Sequence, residues 1–166
     1  MSRYNIIMIT AIVLAAGESK RMGEPKMLMP WGKSTVLQTV VSTLQASGVS
    51  DILVVTGGAR QQIESLVGKT VQTIFNKDYA NEEMLISIQV GLEAKMREAS
   101  AALICLGDQP QVEEECVRSV CGAFVKNKSS IVVPSYRMRR GHPWLAARPL
   151  WDELLKMKPP QSPRDF

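Results

Sequence analysis

Apolar residues fall in short blocks separated by polar, glycine-bearing connections, and the blocks alternate between two periods. Met8 to Ala15 is an apolar run rich in branched side chains, as expected of a strand buried on both faces. After a polar loop to about Lys33, Val36, Leu37, Val40, Val41 and Leu44 recur at helical spacing, with Ser34 as the expected cap and Gly48 as the stop. Ile52 to Val55 predicts a second strand ending at Gly57-Gly58, Gln61 to Val67 a short helix, and Val71 to Phe75 a third strand. A polar connection from Asn76 to Glu82 leads into an amphipathic helix from about Glu83 to Arg97. Ala101 to Leu106 is another buried strand, closed by Gly107-Asp108-Gln109-Pro110. Glu113 to Lys126 predicts a helix, Ser130 to Val133 and Pro143 to Ala147 short strands, and Leu150 to Met157 a last helical turn or two. Strands alternating with helices predict an α/β fold: a three-layer α/β/α sandwich around a mostly parallel, Rossmann-like sheet.

Length and composition narrow this further. The chain of 166 residues is enough for one domain with a real core and too short for two ordinary ones. Lys and Arg total 20 against 16 acids, a mild excess, and Phe, Trp and Tyr number three each. Nucleic-acid binders carry clustered basic faces with interleaved aromatics, so the charge better fits a small anionic ligand. Cys105, Cys116 and Cys121 are odd in number, without CxxC spacing, which disfavours a disulfide framework and points to a reducing, cytoplasmic setting. Arg3 followed by Ile6 to Ala16 imitates a signal peptide, but Thr10 interrupts the run and a better-explained loop follows. That run is also far short of a membrane span.

In parallel sheets ligands bind beyond the carboxyl ends of the strands. Three loops of interest fall there: Ala16 to Lys26, Thr56 to Ala59, and Gly107 to Pro110. The first reads Leu14-Ala15-Ala16-Gly17-Glu18-Ser19-Lys20-Arg21-Met22-Gly23-Glu24-Pro25-Lys26. Small residues after a buried strand let consecutive backbone amides hold an anion. Gly17 and Gly23 are expected to adopt dihedrals that other residues resist, while Arg21 and Lys26 supply charge for phosphate oxygens. Neither a GxGxxG fingerprint nor a P-loop accounts for it. Gly32-Lys33-Ser34 lacks the earlier glycine, Met27 standing in its place, and is expected to be a turn and a helix cap.

The first loop matches the pattern LAAGxSxRMGxxK, and the chain thereby resembles the MobA-like nucleotidyltransferases, in particular the MocA-like molybdenum cofactor cytidylyltransferase branch. Ala16 is typical of that branch. Leu106-Gly107-Asp108-Gln109-Pro110, Arg140-Gly141-His142-Pro143 and the helix residues Met84, Ser87 and Gly91 extend the likeness across 1–166, read as a single domain.

The resemblance implies transfer of CMP from CTP to the phosphate of a molybdopterin-type cofactor, with release of pyrophosphate and a molybdenum hydroxylase or its chaperone as recipient. It also implies a nucleotide site of Leu14, Ala15, Ala16, Gly17, Glu18, Ser19, Arg21, Met22, Gly23, Lys26, Gly57 and Ser87. Lys26 and Arg21 would stabilise phosphate charge, and Asp108 would hold magnesium, as an Asp just past a buried strand can. Arg140, Gly141, His142 and Pro143 would face the acceptor, His142 as a positioning group because phosphate acceptors are already ionised. No nucleic acid or membrane partner is expected.

Two stretches depart from the family pattern. Glu83-Met84-Leu85-Ile86-Ser87 stands where relatives read GMSSS. The sequence stops at Phe166, where relatives continue through another helix and strand to an acidic DxDTPED-like segment. Two rival readings remain: transfer to a sugar or polyol phosphate, and a non-catalytic nucleotide-binding or cofactor-handling module.

Overall fold

The computed structural model describes residues 7–17, 24–81, 83–97 and 99–166. In chain order the strands are β1 (Ile9–Ala15), β2 (Pro30–Trp31), β3 (Ser34–Thr35), β4 (Asp51–Thr56), β5 (Gln72–Phe75), β6 (Ala101–Leu106), β7 (Ile131–Val132), β8 (Ser135–Tyr136), β9 (Arg139–Arg140) and β10 (Trp144–Ala147). The α-helices are α1 (Val36–Ala46), α2 (Arg60–Val67), α3 (Met84–Lys95), α4 (Glu114–Asn127) and α5 (Trp151–Lys156). The main sheet has the order β5-β4-β1-β6-β10-β7. Its first four strands are parallel, and β10 runs antiparallel to both β6 and β7.

Alternation along β1 decides the layering. Ala11, Val13 and Ala15 face a core shared with α1, α2 and α4, whereas Ile12 and Leu14 face one shared with α3 and α5. The α1 residues named by the helical spacing are all buried, Leu37 completely. That helix ends at Gly48, whose φ of 89° lets the Val49 N–H reach the Leu44 carbonyl oxygen at 3.1 Å. Its cap is Thr35 rather than the expected Ser34: the Gln38 N–H donates to Thr35 Oγ1 at 3.3 Å. Ser34 instead pairs with Trp31 in the small β2–β3 hairpin, which turns at Gly32-Lys33. This hairpin and the β8–β9 hairpin fall outside the sequence expectation, because two-residue strands are too short to show a period.

Register fixes where the strands end. Ala15 lies opposite Thr56, Thr56 opposite Phe75, and Leu14 opposite Leu106, so β1, β4, β5 and β6 finish level at one edge. Because β10 is antiparallel, its amino end arrives at that edge too, with Trp144 opposite Ile104.

Candidate active site

Two glycines close the carboxyl edge around β1. A Cβ on Gly57 would lie 2.1 Å from the Ala16 carbonyl oxygen, and a Cβ on Gly107 would lie 2.8 Å from the Leu14 carbonyl oxygen. Real Cβ atoms cannot approach backbone that closely, so glycine is required by space rather than by dihedral. The Gly107 N–H donates to the Leu14 carbonyl at 2.9 Å. The loops after β4 and β6 therefore flank the end of β1, the convergence expected from the sequence.

The first loop divides at Gly17. Leu14, Ala15 and Ala16 are buried, and the side chains of Leu14 and Ala16 belong to the core on the α3 face. Only their main chain is left for a ligand. Gly17 is exposed, has no atom of the described residues within 4 Å of where a Cβ would be, and does not occupy the left-handed region expected of it. Its merit is the absence of a side chain. Glu18, Ser19, Arg21, Met22 and Gly23 lie outside the described residues. Lys26 is exposed and opens a single 3-10 turn, Lys26–Leu28, pinned by the buried Met27 against the core under α1 and α2.

Asp108 is exposed directly after Gly107. His142 is half-buried, and burial together with the Arg164 charge lowers its pKa while Asp108 opposes the shift. Asp108, His142 and Arg164 thus share one electrostatic neighbourhood. Gly141 is tied down by its N–H to the Pro134 carbonyl at 2.8 Å, and Pro143 is buried beneath. Arg140 is exposed, with Nη1 donating to the Arg164 carbonyl oxygen at 3.3 Å.

Ser87 lies in the first turn of α3, where its hydroxyl accepts from the buried Asn76 side-chain amide at 3.0 Å. Asn76 and Arg164 were not anticipated from the sequence. A polar residue straight after the β5 run was the available signal for Asn76; nothing local in a proline-flanked tail signals Arg164. The cysteines stay outside this chemistry: all three are free, and burial raises each thiol pKa, Cys105 most of all.

A family model described as the MobA-like NTP transferase domain matches residues 11–166. The chain belongs to this family. It is 31% identical to the molybdenum cofactor cytidylyltransferase of Escherichia coli K12 over 144 residues, 85% of this chain and 71% of that protein. It is also 31% identical to a probable molybdenum cofactor guanylyltransferase of Bacillus cereus over 150 residues, 89% of this chain and 68% of that one. Among solved structures, Rv0371c from Mycobacterium tuberculosis superposes with a TM-score of 0.81 at 28% identity, covering 94% of this chain and 79% of that chain. A manganese complex of Rv0371c superposes with a TM-score of 0.76 at 27% identity, covering 90% and 76%. The MobA-like domain is thus a nucleotidyltransferase with the mixed, mostly parallel sheet of that fold. Among the described residues no helix is long and apolar enough to cross a membrane.

Proposed function

We propose that this domain, taken as one unit over 1–166, transfers CMP from CTP to the phosphate of a molybdopterin-type cofactor and releases pyrophosphate. The observation that carries the proposal is the closure of Gly57 and Gly107 against the end of β1, with Asp108 next in the chain. Two glycines packed beside a strand end leave main-chain groups, and the neighbouring Asp108 carboxylate, for a ligand. That suits a bulky polyphosphate. The likeness to the E. coli cytidylyltransferase supports the choice of base and acceptor. The equal identity to the B. cereus protein makes GTP the competing nucleotide.

In this reading the acceptor phosphate oxygen attacks the α-phosphorus, and the bond to the bridging oxygen of pyrophosphate breaks. Lys26 and Arg21 offset the charge that builds on the phosphate oxygens, and the amides from Ala15 to Gly17 orient them. Gly57 leaves its loop open to the base edge, and Ser87 holds the wall behind it. Asp108 offers a hard oxygen, and among the described residues no cluster of three or more His, Cys, Asp or Glu could cage a metal. A lone carboxylate fits magnesium, which draws its remaining ligands from phosphates and water. When bound, magnesium would neutralise phosphate charge. The free thiols of Cys105, Cys116 and Cys121 agree with work in the cytoplasm.

The test is calorimetric binding of CTP, GTP, ATP and UTP with and without magnesium, followed by pyrophosphate release on adding molybdopterin cofactor. CTP-selective, magnesium-dependent binding with release supports the proposal. GTP selectivity moves it to the guanylyl reaction, and absence of any nucleotide binding overturns it.

A further inference from the structure

Asn76 stands one residue past β5 and is buried. Its Oδ1 accepts the Asp78 backbone N–H at 2.9 Å, a partner that can only donate. That bond orients the carboxamide and turns Nδ2 toward Ser87 Oγ at 3.0 Å. At this contact Ser87 accepts, so its own proton has to be given elsewhere.

A hydroxyl on a helix commonly returns its proton to the carbonyl four residues back. Thr39 does so to Thr35 at 2.8 Å, and Ser47 to Thr43 at 2.6 Å. Ser87 does not: among the described residues nothing accepts its proton. Ser87 is 6% exposed, so bulk water does not stand in as it would for a surface hydroxyl. It is also the only hydroxyl in 83–87, where Leu85 is committed to the core.

Asn76 is tied toward β1 as well. Its N–H donates to the Thr56 carbonyl at 2.9 Å, and Thr56 precedes Gly57, which closes on the Ala16 carbonyl. Direct bonds and contacts thus run from Ser87 through Asn76 and Thr56 to the end of β1. In the sheet order β4 and β5 lie on one side of β1, and β6, which leads to Asp108, on the other. Ser87 therefore belongs to the side away from the metal-binding carboxylate.

We propose that Asn76 is a positioning residue of the nucleotide site, holding Ser87 Oγ as an acceptor so that its proton goes to the nucleoside half of the substrate. Base and ribose both offer acceptor atoms beside the Gly57 loop. The role rests on the nucleotidyl-transfer reading, in which Gly57 borders the base, and adds a residue that touches no ligand itself.

The test compares magnesium–CTP with magnesium–tripolyphosphate, which carries the phosphates without a nucleoside. GTP replaces CTP throughout if the wild-type chain prefers it. Affinities of wild type, Asn76→Ala, Ser87→Ala, the double variant and Asn76→Asp are measured by calorimetry at a temperature where circular dichroism shows each folded. Asn76→Asp keeps an acceptor for Asp78 but presents a carboxylate to Ser87, so the hydroxyl turns its proton inward. The expected result is CTP binding weakened about tenfold in every variant, with tripolyphosphate held within about twofold of wild type. The double variant should bind no worse than the weaker single one, because Asn76 acts through Ser87. Wild-type CTP affinity in Ser87→Ala or Asn76→Asp overturns the proposal. So does a parallel loss of tripolyphosphate, which general loosening of the fold would give, or losses that multiply in the double variant. If the wild-type chain binds no nucleoside triphosphate, the transferase reading falls and takes this role with it. CTP binding untouched by the variants removes the role alone.

Discussion

The side-chain amide of Asn76 donates to the Ser87 hydroxyl at 3.0 Å, so the end of β5 is bonded directly to the first turn of α3. Asn76 is 1% exposed, its Oδ1 accepts the Asp78 N–H at 2.9 Å, and its own N–H reaches the Thr56 carbonyl at 2.9 Å. Thr56 is the last residue of β4, next to Gly57. One asparagine therefore ties together three elements at the carboxyl edge of the sheet. Asn76→Ala leaves the Asp78 N–H without its acceptor and should cost about 1–3 kcal/mol. Urea denaturation reads this. A change below about 0.5 kcal/mol would show that the bonds contribute nothing measurable.

Gly57 and Gly17 make opposite predictions although both are glycines of the same site. Gly57→Ala drives a Cβ to within 2.1 Å of the Ala16 carbonyl oxygen, so the β4 loop must move and both stability and nucleotide affinity should fall. Gly17→Ala meets no atom of the described residues within 4 Å, so its melting temperature should stay at the wild-type value. Any loss of nucleotide affinity in Gly17→Ala then reports on the ligand alone. A melting temperature lowered in Gly17→Ala and unchanged in Gly57→Ala would contradict the spacing.

Lys26 and Asp108 are exposed and stand on turns anchored elsewhere, so their replacement tests chemistry rather than folding. Lys26→Ala should lower turnover by about 10²–10³-fold, the loss typical of one transition-state charge contact, with the circular dichroism spectrum retained. Asp108→Asn should abolish the magnesium dependence of CTP binding. Near-normal turnover in the first variant, or an unchanged magnesium titration in the second, removes the assigned role.

How much of this was legible in the sequence depended on range. The α1 face and the central strands are periodic and long, so residues such as Leu37 and Ile104 declared their burial. The β2–β3 hairpin was invisible because Pro30-Trp31 and Ser34-Thr35 carry no period, and the cap moved to Thr35 when Ser34 joined that hairpin. At the site, Asp108 and Gly57 were marked by following buried strands, a local signal. Arg164 was not, because its carbonyl meets Arg140 only after α5 has packed Trp151 and Leu154 into the core and turned the tail back. Gly17 was read for its dihedral freedom, whereas its conformation is one that other residues also adopt.

His142 is the only histidine, so its ring resonances need no assignment by mutation. Burial and Arg164 lower its pKa, with Asp108 opposing, and an NMR titration should therefore give a midpoint below the ordinary histidine value of about 6.5. Arg164→Ala should raise that midpoint and Asp108→Asn should lower it further. The sign for stability follows from proton uptake by the unfolded chain first. His142 contributes fully above its ordinary value, and that contribution falls as pH drops from there through the lowered folded value. A midpoint above the ordinary value, or one indifferent to both variants, would break the proposed neighbourhood.

The opposite edge of the sheet carries a polar cluster with a different task. Lys95 is 2% exposed, its Nζ lies 2.8 Å from Asp51 Oδ1, and Thr10 Oγ1 donates to Asp51 Oδ2. Asp51 begins β4 and Thr10 lies near the start of β1, so the cluster ties the end of α3 beneath the strands at the edge away from Asp108. Asp51→Ala removes one partner of the buried ammonium and should lower stability by about 1–3 kcal/mol. Lys95→Met keeps the apolar stem, leaves the partly exposed carboxylate in reach of water, and should cost less. Nucleotide affinity should hold in both variants while they remain folded. Equal, negligible losses in urea denaturation would show that the pair only fills space, whereas altered CTP binding in a folded Lys95→Met protein would mean that α3 transmits strain between the two edges.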